Sequence, residues 1–185
     1  FELLHKLGGK SGLIRSSEFF MYSEKDRKAI DICRAKGYRY PEITGWIRAN
    51  LDDLKIARDM EFKEVGILTS VSDYHLYMKM GWDRQKAMDK YTAVIEKALE
   101  YGISPRCHFE DLTRSDVYGF PIPFAQRLME LSNESGLPVK IRLCDTMGNG
   151  VPYPGATLPR SVGRLVRAFT DDAGVPGQWL EWHGH

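Results

Sequence analysis

The sequence lacks the features that would place it among nucleic-acid-binding or membrane proteins. It has 26 Lys and Arg residues against 25 Asp and Glu residues. The resulting net charge of +1 leaves no basic surplus for nucleic acid or for an anionic lipid surface. No apolar run approaches the roughly 20 residues that a membrane-spanning helix needs. We therefore expect no nucleic-acid partner and no membrane partner.

Cysteine is also scarce. The three cysteines, Cys33, Cys107 and Cys144, are separated by long stretches of chain. An odd and sparse set argues against a disulfide-stapled secreted domain, so small core thiols in a reduced, cytoplasmic setting are the simplest interpretation. What is present, 43% hydrophobic and 28% charged residues over 185 positions, is ordinary for one globular domain.

Short strand-like runs alternate with helical stretches along the whole chain. The predicted strands are Tyr38–Trp46, Val65–Ser70, Ser104–Glu110, Val139–Asp145 and Trp179–His183. The predicted helices, with apolar residues three and four positions apart, are Leu51–Met60, Arg84–Tyr101, Ile122–Ser135 and Leu158–Ala173, after an amphipathic stretch at the start of the chain. Glycines at 102 and 136 follow two of these helices, as C-capping glycines do. This alternation predicts a parallel sheet with crossover helices.

Such a sheet is either open and doubly wound or part of a closed barrel. An open sheet usually has a glycine-rich phosphate loop after its first strand, and the chain has none. The predicted fold is therefore α/β, a partial (β/α)8 TIM barrel with parallel strands and outer helices. Because the chain starts inside a helical stretch and stops directly after an apolar run, we expect residues 1–185 to be an incomplete TIM-barrel catalytic domain that lacks the first and last strands.

Charged and histidine residues lie near the C-terminal ends of several predicted strands. Since side chains alternate along a strand, Arg106, His108 and Glu110 share one face, and Glu42 shares a face with its neighbours two residues away. Buried charges are costly unless they neutralise one another or hold a ligand. The C-terminal mouth of a barrel is where enzymes of this architecture place catalytic groups. These rows therefore predict an active site.

The segment His183-Gly184-His185 is the sharpest local feature. Two imidazoles at positions i and i+2 of a strand can bind one cation from the same side, with a carboxylate from another strand as third ligand. Alone, this pattern is more often a pair of histidines that are exposed or already hydrogen-bonded than a metal site.

Other polar segments also have ordinary interpretations. An acidic pair such as Glu110-Asp111 stabilises a helix N-terminus, and the Asp-Thr pair at 145–146 caps a turn. Asp73 would cap a helix that leaves His75 on the surface.

Five segments in this order carry a family resemblance: PEITGWIR, ILTSVSDYH, PRCHFEDLTRSD, IRLCDTMGNGVP and LEWHGH. They resemble the barrel domain of the hydroxymethylglutaryl-CoA lyase/isopropylmalate synthase superfamily, over essentially the whole chain. The SDYH and CHFED segments look closer to the condensing branch, which includes isopropylmalate, homocitrate, citramalate and Re-type citrate synthases. Carbon–carbon cleavage of the lyase type is the alternative function, and an inactive truncated piece is a third.

The resemblance implies a metal-dependent condensation of acetyl-CoA with a 2-oxo acid. It implies a divalent metal ion (Mg²⁺, Mn²⁺ or Zn²⁺) as cofactor, acetyl-CoA as co-substrate and a homodimeric full-length protein. His183 and His185 match the family's metal ligands, and Arg106 and Thr146 would bind the carboxylate of the oxo acid. His108 stands where homocitrate synthases often have Ser. The implied roles are catalytic for Glu110, His75 and Glu42, substrate-binding for Arg106, His108 and Thr146, and metal-binding for His183 and His185.

Overall fold

The computed structural model describes all 185 residues and contains one six-stranded sheet. Every neighbouring pair of strands is parallel, and the strands lie side by side in chain order. The strands are β1 Ser16–Phe19, β2 Glu42–Arg48, β3 Glu64–Ser70, β4 Ser104–Glu110, β5 Lys140–Asp145 and β6 Leu180–Gly184. An all-parallel sheet in sequential order, joined by crossover helices, is the arrangement of a barrel wall.

Helices connect the strands. They are α1 Glu2–Gly8, α2 Glu24–Arg34, α3 Leu51–Asp59, α4 Arg84–Glu100, α5 Pro121–Ser135 and α6 Val162–Arg167. Two π-helical segments, Tyr74–Lys79 and Ala168–Asp172, and two 3₁₀ turns, Leu112–Arg114 and Gly177–Trp179, complete the connections. Asn50 and Asp83 cap α3 and α4 through side-chain oxygens that accept backbone N–H groups. None of the helices combines the length and the apolar character needed to cross a bilayer.

The two faces of the sheet differ in polarity. On β4, Cys107 and Phe109 are fully buried in the hydrophobic core, where the ring of Phe109 stacks on Phe124 of α5 with centroids 5.1 Å apart. The alternating residues Arg106 and His108 point to the opposite face, where they meet charged side chains of other strands. One face thus packs against the helices, and the other carries the charged interior of a partial TIM barrel, as predicted.

The prediction from the sequence differs from the structure mainly in three places. It missed β1 and α2, because β1 is only four residues long and three of those are polar. It began the second strand at Tyr38, whereas β2 begins at Glu42. It also began the last helix at Leu158, but the helical conformation is disfavoured before Pro159, and α6 begins at Val162.

Candidate active site

Glu110 and His75 meet at the C-terminal edge of the sheet. Glu110 is the last residue of β4 and lies opposite Ser70, the last residue of β3. The Ser70 hydroxyl donates to Glu110 Oε2, and His75 Nδ1 lies 2.9 Å from the same oxygen. Because a carboxylate can only accept, Nδ1 donates this hydrogen bond, and in the neutral ring Nε2 then carries the lone pair. The three side chains form a hydrogen-bonded row that leaves one imidazole nitrogen able to accept a proton.

Asp111 lies directly behind this row. Its side chain is fully buried, and its backbone adopts the left-handed conformation with φ of 64°. Ser72 Oγ donates to Asp111 at 2.5 Å, and Arg114 donates two hydrogen bonds at 2.7 and 2.8 Å. His75 Nε2 lies 3.9 Å from Asp111 Oδ2, which is too far for a hydrogen bond. The His75 ring therefore lies between two carboxylates.

The end of β5 contributes Asp145 and Thr146. Thr146 Oγ1 accepts the backbone N–H of Asp111 at 2.8 Å. The Asp145 carboxylate accepts the Thr113 hydroxyl at 2.7 Å and the backbone N–H groups of Asn149 and Gly150 at 2.8 and 2.7 Å. Asp145 thus has the turn-capping role that its position suggested, while Thr146 faces the Glu110 cluster.

His183 and His185 stand side by side at the end of β6. Their ring centroids are 4.9 Å apart, and both side chains are exposed. Partial burial and the charges of His185 and Arg142 lower the pKa of His183, so its neutral form, the form that binds metals, is favoured. Two adjacent imidazoles fit part of a divalent-cation site. No further His, Cys, Asp or Glu side chain of the chain joins them to make a set of three.

Below the mouth, a charged network crosses the inner face of the sheet. Burial alone would raise the pKa of Glu18, but contacts with His108 and Arg142 outweigh burial and lower that pKa to about 2. Glu18 reaches these residues over Gly66, where an added Cβ would lie 2.6 Å from Glu18 Oε1. The network has three cationic and three anionic members: Arg106, Lys140 and Arg142 with Glu18, Glu64 and Glu181.

Arg106 and His108 belong to this network rather than to the open mouth. Arg106 is 2% exposed and contacts Glu18 at 3.0 Å, Glu181 at 3.1 Å, and Glu64. His108 Nε2 lies 3.2 Å from Glu18 Oε1 but out of line for a hydrogen bond, and burial lowers the pKa of His108. Their role in binding substrate stays a prediction, and in this structure glutamates surround the Arg106 guanidinium.

The expectation that Glu42 joins the mouth is wrong. Glu42 is the first residue of β2, so it lies at the N-terminal edge of the sheet, opposite to the mouth. Its side chain is about half exposed and lies 3.7 Å from Arg15. Alternation along the strand predicts on which face of the sheet Glu42 lies. Its position along the barrel axis depends on where the strand begins, which alternation does not give. The structure therefore separates Glu42 from Glu110, His75, Thr146 and the two terminal histidines.

The structure adds several residues to the site that the sequence does not predict. One of them is Glu18, which lies on the unpredicted strand β1. Its position directly before the apolar run FFM is the sequence feature that could have indicated a site residue. Ser70 is the last residue of β3, whose C-terminal end the sequence predicts correctly, and Ser72 follows two residues later. Asp111 is fully buried and has a left-handed backbone conformation, which no local sequence pattern indicates.

Comparisons with known proteins identify the family of the chain. A family model described as HMGL-like matches residues 18–185. The chain is 56% identical over its whole length to a citrate (Re)-synthase from Syntrophus aciditrophicus, of which it covers 29%, and 49% identical to one from Clostridium kluyveri, of which it covers 41%. It thus spans less than half the length of these curated relatives. The HMG-CoA lyase structure from Brucella melitensis matches 90% of the chain and 57% of its own, with a TM-score of 0.60 and 19% identity, which supports the fold alone.

Proposed function

Because the chain belongs to the HMGL-like family, we propose that the protein from which it comes is a condensing synthase of the citrate (Re)-synthase type. It would join acetyl-CoA to a 2-oxo acid. The observation that carries this proposal is the identity of 56% and 49% to two citrate (Re)-synthases across every residue of the chain. Citrate minus the two carbons of acetyl leaves a four-carbon 2-oxo dicarboxylic acid, so oxaloacetate is the proposed second substrate.

His183 and His185 would hold the divalent metal ion, Mg²⁺, Mn²⁺ or Zn²⁺. Their adjacent rings and the lowered pKa of His183 support this assignment. A divalent ion, when bound, supplies Lewis-acid polarisation of a carbonyl group.

His75 is the proposed general base. Its Nε2 would accept a proton from the methyl group of acetyl-CoA, while Glu110 holds the Nδ1–H and balances the positive charge of the ring. Ser70, in turn, fixes the Glu110 carboxylate. The carbanion-like methyl carbon forms the new carbon–carbon bond with the keto carbon of the oxo acid. The keto oxygen gains a proton, and water then cleaves the thioester to release CoA.

Thr146 is the proposed hydrogen-bond donor to the oxo acid. Its oxygen already accepts the Asp111 N–H, and its own proton has no acceptor within the chain. A carboxylate in the mouth would provide that acceptor. We also propose that Arg106 and His108 contribute to substrate binding through the charged network that lies below the mouth. We also propose that the enzyme is a cytoplasmic homodimer, which light scattering of the intact protein would test.

The direct test is an incubation of the intact protein with acetyl-CoA, oxaloacetate and Mn²⁺. Released CoA thiol and newly formed citrate are measured together, by a colorimetric thiol assay and mass spectrometry. The proposal expects one citrate for each CoA. A parallel incubation with 3-hydroxy-3-methylglutaryl-CoA tests cleavage. Consumption of that thioester without any citrate formation would replace the proposed synthase with a lyase.

A further inference from the structure

We infer that Asp111 is a positioning residue that orients both His75 and Thr146 for proton transfer and substrate binding. The inference rests on the proposed condensation, because those two side chains are the proposed base and hydrogen-bond donor. Asp111 itself is fully buried and does not reach the open mouth.

The backbone of Asp111 is the first part of the evidence. With φ of 64°, it has the left-handed conformation that L-residues other than Asn and Asp rarely adopt. This conformation follows immediately after the last residue of β4 and aims the Asp111 N–H at Thr146 Oγ1, 2.8 Å away. Because the threonine oxygen is thereby an acceptor, its hydroxyl proton has to point elsewhere. The backbone of Asp111 thus determines the direction in which Thr146 donates.

The carboxylate of Asp111 joins segments that follow two different strands. Ser72, after β3, donates to it at 2.5 Å, and Arg114, after β4, donates through two nitrogens. The backbone N–H of His75 in turn lies 3.3 Å from Ser72 Oγ. Asp111 and Ser72 therefore fix the start of the π-helical segment that carries the imidazole.

The same carboxylate faces the reactive nitrogen of His75. Asp111 Oδ2 lies 3.9 Å from Nε2, too far to accept a hydrogen bond but close enough for its charge to be felt when the ring takes up a proton. On the other side, Glu110 accepts the Nδ1–H at 2.9 Å. Glu110 thus holds one side of the His75 ring by a hydrogen bond. On the other side, the charge of Asp111 faces Nε2 without a hydrogen bond, so Nε2 can still accept a proton.

A purely structural ion pair would look different, and the chain contains one for comparison. Arg84 donates two hydrogen bonds, at 2.9 and 2.7 Å, to Asp73, which is in the same segment as His75. The Asp73 side chain is 44% exposed and makes no hydrogen bond or ion pair with His75 or Thr146. The variant Asp73→Asn is therefore a matched control, because it weakens an Asp–Arg pair beside the mouth without touching the proposed machinery.

The test compares Asp111→Asn with Asp73→Asn in the intact protein. Asparagine keeps the size of the side chain and tolerates the left-handed backbone, so the variant removes the charge and one of the two oxygens that accept hydrogen bonds from Ser72 and Arg114. We expect kcat for citrate formation to fall about tenfold or more in Asp111→Asn, while KM for either substrate changes less than about threefold. With acetyl-CoA deuterated at the methyl group, the isotope effect on kcat should rise above the wild-type value, since proton transfer becomes slower. Asp73→Asn should leave kcat and the isotope effect unchanged.

The isotope effect separates positioning from folding. A variant that is merely less folded loses kcat in proportion to its active fraction, but each active molecule keeps the wild-type isotope effect. Wild-type turnover together with an Asp111→Asn variant that keeps its kcat, or loses it at an unchanged isotope effect, would overturn the inference alone. Absence of citrate formation by the wild type would overturn the proposed function and the inference with it.

Discussion

Replacement of Glu18 by Gln tests whether the charged network stabilises the barrel wall. Glu18 lies on β1, and its side chain is 21% exposed. Its carboxylate lies 3.2 Å from His108, the largest cause of its lowered pKa, and also contacts Arg142 and, at 3.0 Å, Arg106. The six charged members of the network balance as three cations and three anions, so Glu18→Gln leaves one buried positive charge without a counter-charge.

The magnitude follows from the shifted pKa. The Glu18 pKa is about 2 in the folded chain against an ordinary value of 4.5. A depressed folded-state pKa stabilises the fold at pH values above the unfolded value, by about 3 kcal/mol for a shift of this size. The loss of one partner of a buried ion pair typically costs a similar roughly 3–5 kcal/mol. The stabilisation should disappear as the pH falls from 4.5 towards 2.

The assay is urea unfolding of the intact protein and of Glu18→Gln, followed by tryptophan fluorescence at several pH values. We expect the variant to unfold at clearly lower urea near pH 7, and the two curves to converge as the pH falls below 4.5. Glu2→Gln, at an exposed salt bridge to Lys6 and Lys36, should leave the midpoint unchanged. Equal stability of Glu18→Gln and wild type at pH 7 would refute the reasoning, because the network would then contribute nothing.

Two further predictions concern close packing and metal binding. Gly66→Ala places a Cβ 2.6 Å from Glu18 Oε1 and should lower the free energy of unfolding by about 1–3 kcal/mol. Gly163 has open space around it, so Gly163→Ala should be neutral or slightly stabilising. Equal melting temperatures of the two variants would contradict this prediction. His183→Ala should weaken Mn²⁺ binding, measured by calorimetry, about tenfold or more. The ring of His5 stacks on an aromatic residue near the chain start, and His5→Ala should leave Mn²⁺ binding unchanged. An unchanged affinity for Mn²⁺ in His183→Ala would show that this imidazole is not a metal ligand.

Much of the sheet could be predicted because its later strands have clear boundaries. Ser104–Glu110 has the predicted limits, and the helices before and after it end near glycines with positive φ, at 102 and 136. The short strand β1 carries two serines and a glutamate, so neither apolar content nor alternation marks it. Tertiary pairing with β2, rather than local propensity, makes it a strand.

The location of a candidate site residue was predictable where its position along a strand decides it. Glu110 and Thr146 stand at or just after strand ends, and both lie at the mouth. Glu42 was misplaced because alternation fixes the face of a side chain but not its height along the barrel axis. Contacts that depend on a three-dimensional approach, such as Glu18 reaching β4 over Gly66, have no signature in the local sequence.

The central claim is that catalysis takes place at the C-terminal edge of the sheet, around the pair of Glu110 and His75. The most direct measurement is the rate of citrate formation by the intact protein carrying Glu110→Gln, compared with Glu42→Gln at the opposite edge. The account predicts a loss of about 10²–10⁴-fold for Glu110→Gln, because an amide would no longer hold and balance the imidazole of the proposed base, and a wild-type rate for Glu42→Gln. Near-normal turnover by Glu110→Gln, or a comparable loss in Glu42→Gln, would contradict it.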